Sequence, residues 1–118
     1  MTKLTAICNR FDIVKIPFPF TDRQAHKNRP AVIISSAQSF NQLIGHSIMA
    51  MITSAQHTPW PLDTPINDLD SAGLPAASII RLKLFTLDHR LIIDTLGHLS
   101  AKDALVFNKN LTALFSDS

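Results

Sequence analysis

Through "DIVKIPFPF" the apolar residues Val14, Ile16, Phe18 and Phe20 fall at every second position, between Lys15, Pro17 and Pro19. Successive strand side chains point to opposite faces, so this spacing predicts a first strand with one buried face. Pro17 and Pro19 offer no ladder donor, which sends the end of that strand to a sheet edge or out of the sheet. The polar stretch "TDRQAHKN" reads as a loop. "PAVIISS" then predicts a second strand opened by its proline, and "SIMAMITS" a third that runs into the proline-rich loop "AQHTPWPLDTP". "SAGLP" is read as a turn. The β-rich runs "ASIIRLKLFTL" and "RLIIDTLGHL", separated by Asp88 and His89, predict a hairpin or bent pair. From Ser100 the period lengthens to that of a helix, with Ala104, Phe107, Leu111, Leu114 and Phe115 on one face. Ser100 and Asp103 have the spacing of a capping box, with Asp in place of the usual Glu. Five or more short strands followed by one helix predict a mainly β (α+β) fold: a small, strongly bent antiparallel barrel or sheet pair with the C-terminal helix packed on it.

Composition narrows the class. A chain of 118 residues, 46% hydrophobic and 17% charged, can bury a real core as one domain spanning 1–118, and is too apolar for disorder. No apolar run approaches the roughly 20 residues of a membrane helix. The start, "MTKLTAICNRFDIV", lacks the continuous apolar segment and small-residue cleavage site of a signal peptide. The expected location is the cytoplasm, with which a single cysteine, Cys8, agrees.

The net charge of +2 does not by itself demand a polyanionic partner, but its placement is uneven. Arg23, His26, Lys27 and Arg29 lie within seven residues, with only Asp22 to offset them. The five histidines are too scattered to converge on a metal by spacing, and three glycines make no phosphate loop, so no metal or cofactor is expected. What remains is a pair. Arg29 stands at the mouth of the second strand, where its planar fork of donors suits a phosphate, and Thr53 ends the third. If those strands are neighbours, both side chains can face one phosphate. Taken singly, Arg29 reads more readily as a surface ion pair with Asp22, and Thr53 as an ordinary β-former.

The segments "FDIVKIPFPFTD", "KNRPAVIISS", "MAMITSAQ", "DLDSAGLPAASIIRLKLFTLD" and "LGHLS" before a final helix, in that order, resemble the PemK/MazF family of endoribonuclease toxins of type II toxin–antitoxin systems. The resemblance covers nearly the whole chain. It implies an SH3-like barrel, a homodimer, and metal-independent, sequence-selective cleavage of single-stranded RNA to 2′,3′-cyclic phosphate and 5′-hydroxyl ends, held in check by a cognate antitoxin protein. It also implies Arg29 and Thr53 as the catalytic pair. Two positions depart from the pattern: Phe11 replaces a glycine, and Lys83 replaces the carboxylate that one branch of the family places two residues after the equivalent of Arg81.

Arginine is a poor general base, which makes His26 a candidate for that role. RNA contacts are expected from Arg23, Lys27, Ser54, Gln56, His57 and Arg81, with Trp60 as a stacking platform. Arg23 and Lys27 read equally as solvated cations, Arg81 as a structural ion pair, and Trp60 as a packed side chain. The rival functions are a non-catalytic SH3-like binding module and a degenerate toxin that binds antitoxin or nucleic acid without cutting.

Overall fold

The computed structural model describes residues 8–18 and 27–117. Six strands, β1 (Asp12–Phe18), β2 (Lys27–Ile33), β3 (His46–Ser54), β4 (Thr64–Pro65), β5 (Ser78–Asp88) and β6 (Asp94–His98), form one antiparallel sheet in the order β4-β5-β3-β2-β1-β6. A short helix α1 (Gln42–Ile44) precedes β3, α2 (Leu69–Ala72) precedes β5, and α3 (Ala101–Leu114) ends the chain. The mainly β, bent antiparallel architecture with a C-terminal helix is thus the one expected. No described helix is long and apolar enough to cross a membrane.

The sheet is buried on both sides. On one face Ile13, Val32, Ala50, Ile52 and Ile80 pack with Phe107 of α3. On the other, Val14, Ile16, Ala31, Ile33, Met49, Met51 and Leu87 form a second cluster. The first strand therefore departs from the single buried face expected of it: Ile13 and Val14, adjacent and oppositely directed, are both buried. α3 supplies the cover that strand periodicity alone does not reveal.

β5 and β6 do not form the expected hairpin. β5 pairs with β3 and β4, whereas β6 pairs with β1 at the far edge. Asp88 accepts from the Arg90 N–H and opens a helical turn over His89–Leu91, and the Ile93 N–H then bonds the Lys15 carbonyl, which redirects the chain onto β1. Bending brings the two ends of the sheet together. α2, next to the β4 edge, docks on β6 so closely that a Cβ at Gly97 would overlap the Ser71 carbonyl oxygen and lie 2.8 Å from the Ala72 carbonyl carbon. Gly73, which ends α2 at φ 71°, meets the Leu96 backbone in the same way.

α3 obeys half of its predicted cap. The Ser100 hydroxyl accepts from the Asp103 N–H at 3.1 Å. The Asp103 carboxylate, however, turns away from the Ser100 backbone to accept from the N–H groups of Asn67 and Asp68, at 3.0 and 2.9 Å. The shorter acid thereby ties α3 to the loop before α2. Phe107 is fully buried, with Ala104 and Leu111 against the same core, while Leu114 and Phe115 are exposed because the helix runs past the sheet.

Phe11 occupies the position where the resembling family has glycine, and its φ of 74° is one that glycine tolerates best. Its ring stands edge-on to Phe107, centroids 6.3 Å apart, on the helix side of the sheet. Its N–H and C=O bond the Ile33 carbonyl and the Leu99 N–H.

Candidate functional site

Arg29 is not before the second strand but within it, opposite Ile16 of β1. Ala31 pairs with Met51 and Ile33 with Met49, and the same antiparallel register continued by two residues sets Arg29 across from Thr53. Alternation then decides which way they point. Arg29 shares a face with Ala31 and Ile33, and Thr53 with Met49 and Met51, so both lie on the face away from α3. A register shift between Ala50 and Met51 adjusts β5 so that Arg81 stands opposite Met51. These side chains, with Phe18, His57 and Lys83, line a cavity of about 230 Å³.

Among the described residues the lining is positive and includes no carboxylate. Arg29 lies with its guanidinium carbon 6.0 Å from the centre of the Phe18 ring. Its Nε is buried with no hydrogen-bond partner among the described residues. A buried donor left open in this way has lost water without a protein acceptor in return, so an incoming acceptor gains more there than at a solvated cation. Thr53 is half-buried, and its Oγ1 lies 2.8 Å from Nδ1 of His57. The turn after β3 makes this contact possible. The His57 N–H bonds the Ser54 carbonyl, and the Gln56 N–H bonds the Ser54 hydroxyl, folding His57 back over the strand end. Ser54 thus builds the turn.

Arg81 is committed to structure. Its fork grips Asp63 through Nε–Oδ1 at 3.2 Å and Nη2–Oδ2 at 2.9 Å, and it also donates to the Thr58 carbonyl at 2.7 Å. Partial burial would raise the Asp63 pKa, but the Arg81 fork, the Trp60 N–H and the Arg81 charge outweigh it and hold the carboxyl below its ordinary range. The same hydrogen bond to Asp63 raises Arg81. Trp60 rests on this assembly, its ring centre 4.9 Å from the Arg81 guanidinium carbon and 5.5 Å from the Lys83 ammonium, with 43% of the residue exposed. The loop after β3 is therefore bolted to β5 through one ion pair, 18 residues apart in sequence. Nothing in the local sequence announces Asp63 as the partner.

Of the other expected residues, Lys27 and Gln56 are exposed near the two strand ends. Arg23 and His26 lie outside the described residues, as does Asp22. A larger hollow of about 680 Å³ at the starts of α2 and α3 is lined by Asp68, Asp70 and Asp103. Its acids repel a phosphodiester, and Asp68 and Asp103 are already spent on backbone N–H groups. The smaller, cationic cavity is the candidate site.

Solved structures share this fold. A MazE–MazF structure from Deinococcus radiodurans superposes with TM-score 0.75 at 18% identity, covering 96% of this chain and 100% of that one. An endoribonuclease in complex with its cognate antitoxin, from a mycobacterial species, gives 0.71 at 17% identity, covering 95% and 97%. The Mycobacterium tuberculosis toxin MazF-mt6 gives 0.68 at 16% identity, covering 91% and 99%. No curated protein sequence matches this one. The family pattern of the PemK-like, MazF-like toxins of type II toxin–antitoxin systems matches residues 9–115, nearly the whole length, and the chain belongs to that family.

Proposed function

We propose that the protein is a metal-independent endoribonuclease toxin that cuts single-stranded RNA at short sequences by attack of the RNA's own 2′-hydroxyl, with Arg29 and Thr53 at the scissile phosphate. The observation that supports this reading is the cavity shared by Arg29, with its open buried Nε, and Thr53 across the β2–β3 ladder. In the reaction the 2′-oxygen bonds to phosphorus and the bond from phosphorus to the 5′-oxygen breaks, leaving a 2′,3′-cyclic phosphate and a 5′-hydroxyl. Charge builds on the nonbridging oxygens, where a guanidinium held by a strand and a hydroxyl beside it stabilise the transition state more than the ground state. Lys27 and Gln56 extend the contact along the strand ends, and Arg23, six residues before Arg29 in sequence, adds a further cation. Trp60 offers an exposed ring for a base, and Arg81 acts by holding its loop. An acidic antitoxin segment competing for the same cationic cavity, and a homodimer, complete the reading.

The test is to incubate purified protein and Arg29→Ala with a long single-stranded RNA in EDTA and to map the fragment ends. Discrete cuts ending in cyclic phosphate, reduced about 10²–10³-fold in the variant, are expected. Intact RNA with folded, antitoxin-free protein would leave the binding-module or degenerate-toxin reading in its place.

A further inference from the structure

We infer that His57 is the general base of this cleavage, taking the 2′-hydroxyl proton on Nε2 while Thr53 fixes the other side of its ring. The inference rests on the ribonuclease reading above and assigns the proton transfer that reading leaves open. Among the described residues lining the cavity, the cations are Arg29 and Arg81, which stay protonated in proteins, and Lys83; no carboxylate lines it. The imidazole of His57 is the remaining described side chain there with a ring nitrogen lone pair to offer.

The geometry gives His57 a defined face. Thr53 Oγ1 lies 2.8 Å from Nδ1, and the backbone turn from Ser54 holds the residue in place. With Nδ1–H donating to Thr53, the Thr53 hydroxyl keeps its own hydrogen for a phosphate oxygen, and the Nε2 lone pair is left for substrate. Nε2 has no partner among the described residues. A phosphate bridging Arg29 and Thr53 sets the attached ribose beside the same imidazole. The proton balance then closes: the 2′-hydroxyl proton passes to Nε2 as the bond from the 2′-oxygen to phosphorus forms, the 5′-oxygen leaves with a proton from solvent, and the imidazolium returns its proton to water. Arg29 from β2 and Arg81 and Lys83 from β5 are the charged groups facing this ring, with Asp63 already paired to Arg81.

The experiment is a pH–rate series on a short RNA spanning a mapped cut, with wild type, His57→Asn, His57→Ala, His26→Ala and Arg29→Ala. Asn preserves a donor near the position of Nδ1 without a titrating ring, so it separates ring placement from proton transfer. Circular dichroism confirms that each variant is folded. Expected is a loss of about 10²–10⁴ in kcat for His57→Asn with KM within a few-fold of wild type. The acidic limb of the wild-type profile, rising about tenfold per pH unit, should vanish in that variant and persist in His26→Ala. A substrate with sulfur at the 5′-bridging position, whose departure needs no acid, should leave the His57→Asn defect in place. Wild-type rate and profile in His57→Asn, with Arg29→Ala inactive, would overturn the assignment and leave the nuclease reading standing. Rescue by the sulfur substrate would overturn it by making His57 the acid. No cleavage by wild type would remove both.

Discussion

Phe11 stores backbone strain in exchange for a ring contact, and the two contributions can be separated by a pair of substitutions. At φ 74° an L-residue with a Cβ costs about 1–2 kcal/mol relative to the right-handed region. Against this, the half-buried ring contributes roughly half of the ~2–3 kcal/mol of a fully buried Phe. Its edge-on contact with Phe107 adds about 0.5–1.5 kcal/mol. Phe11→Ala loses the ring and keeps the strain. Phe11→Gly loses the ring, releases the strain, and gives back about 0.5–1 kcal/mol through the greater freedom of glycine in the unfolded chain. Stability should therefore fall in the order wild type, Phe11→Gly, Phe11→Ala, with the glycine variant about 0.5–1 kcal/mol above the alanine one. For a domain of this size that gap is roughly 2–4 °C in Tm, within reach of calorimetry or urea titration. RNA cleavage per folded molecule should be unchanged in both, since Phe11 lies on the helix side and Arg29 and Thr53 on the other. An alanine variant as stable as the glycine variant, or more so, would refute the idea that strain resides at this residue.

Three further outcomes are expected. Gly97→Ala should destabilise by about 1–3 kcal/mol or more, because the new methyl meets backbone of α2 rather than a side chain that can rotate; a melt matching wild type would show that α2 does not press on β6. Asp103→Ala, which strips the acceptor from the Asn67 and Asp68 N–H groups, should cost about 1.5–3 kcal/mol in urea unfolding, and full stability would show that these two hydrogen bonds do not hold α3 in place. Acid should destabilise in two stages. Burial and the His46 charge hold His89 below the ordinary imidazole range despite Asp88, so the unfolded chain binds its proton first and stability drops as pH falls below about 6.5. Asp63 and Asp88, held low with their partners Arg81 and Arg90, add a second loss below pH ~4. His89→Gln should remove the first stage in a series of melts across pH, and its persistence would place the titration elsewhere.

The meeting of Arg29 with Thr53 was legible only as a condition: short apolar runs marked the two strands, the family resemblance singled out the pair, and the adjacency of β2 and β3 came from the structure. The fate of Arg81 was not legible. Its partner Asp63 sits in an irregular loop, and the alignment of the two depends on the register shift opposite Ala50 and Met51. The route of the sixth strand was hidden for a related reason: "RLIIDTLGHL" carries β-propensity but no mark of its neighbour, and Leu91 and Ile93 are exposed rather than paired inward. Asp103 matched a local capping pattern, yet its side chain serves a segment 35 residues away. In each case local periodicity named the element, and tertiary contact chose its partner.

Because the sheet is packed on both faces, Arg29 also polices strand pairing. Were β2 to slip by one residue, alternation would carry the guanidinium to the side occupied by Ile13, Val32 and Phe107, where it would be sealed in hydrocarbon with no acceptor. Register errors that a run of small and β-branched residues would otherwise tolerate are thereby made costly. The cation that faces the cavity in the native sheet thus weighs against every slip by an odd number of residues, each of which would turn it into the apolar side.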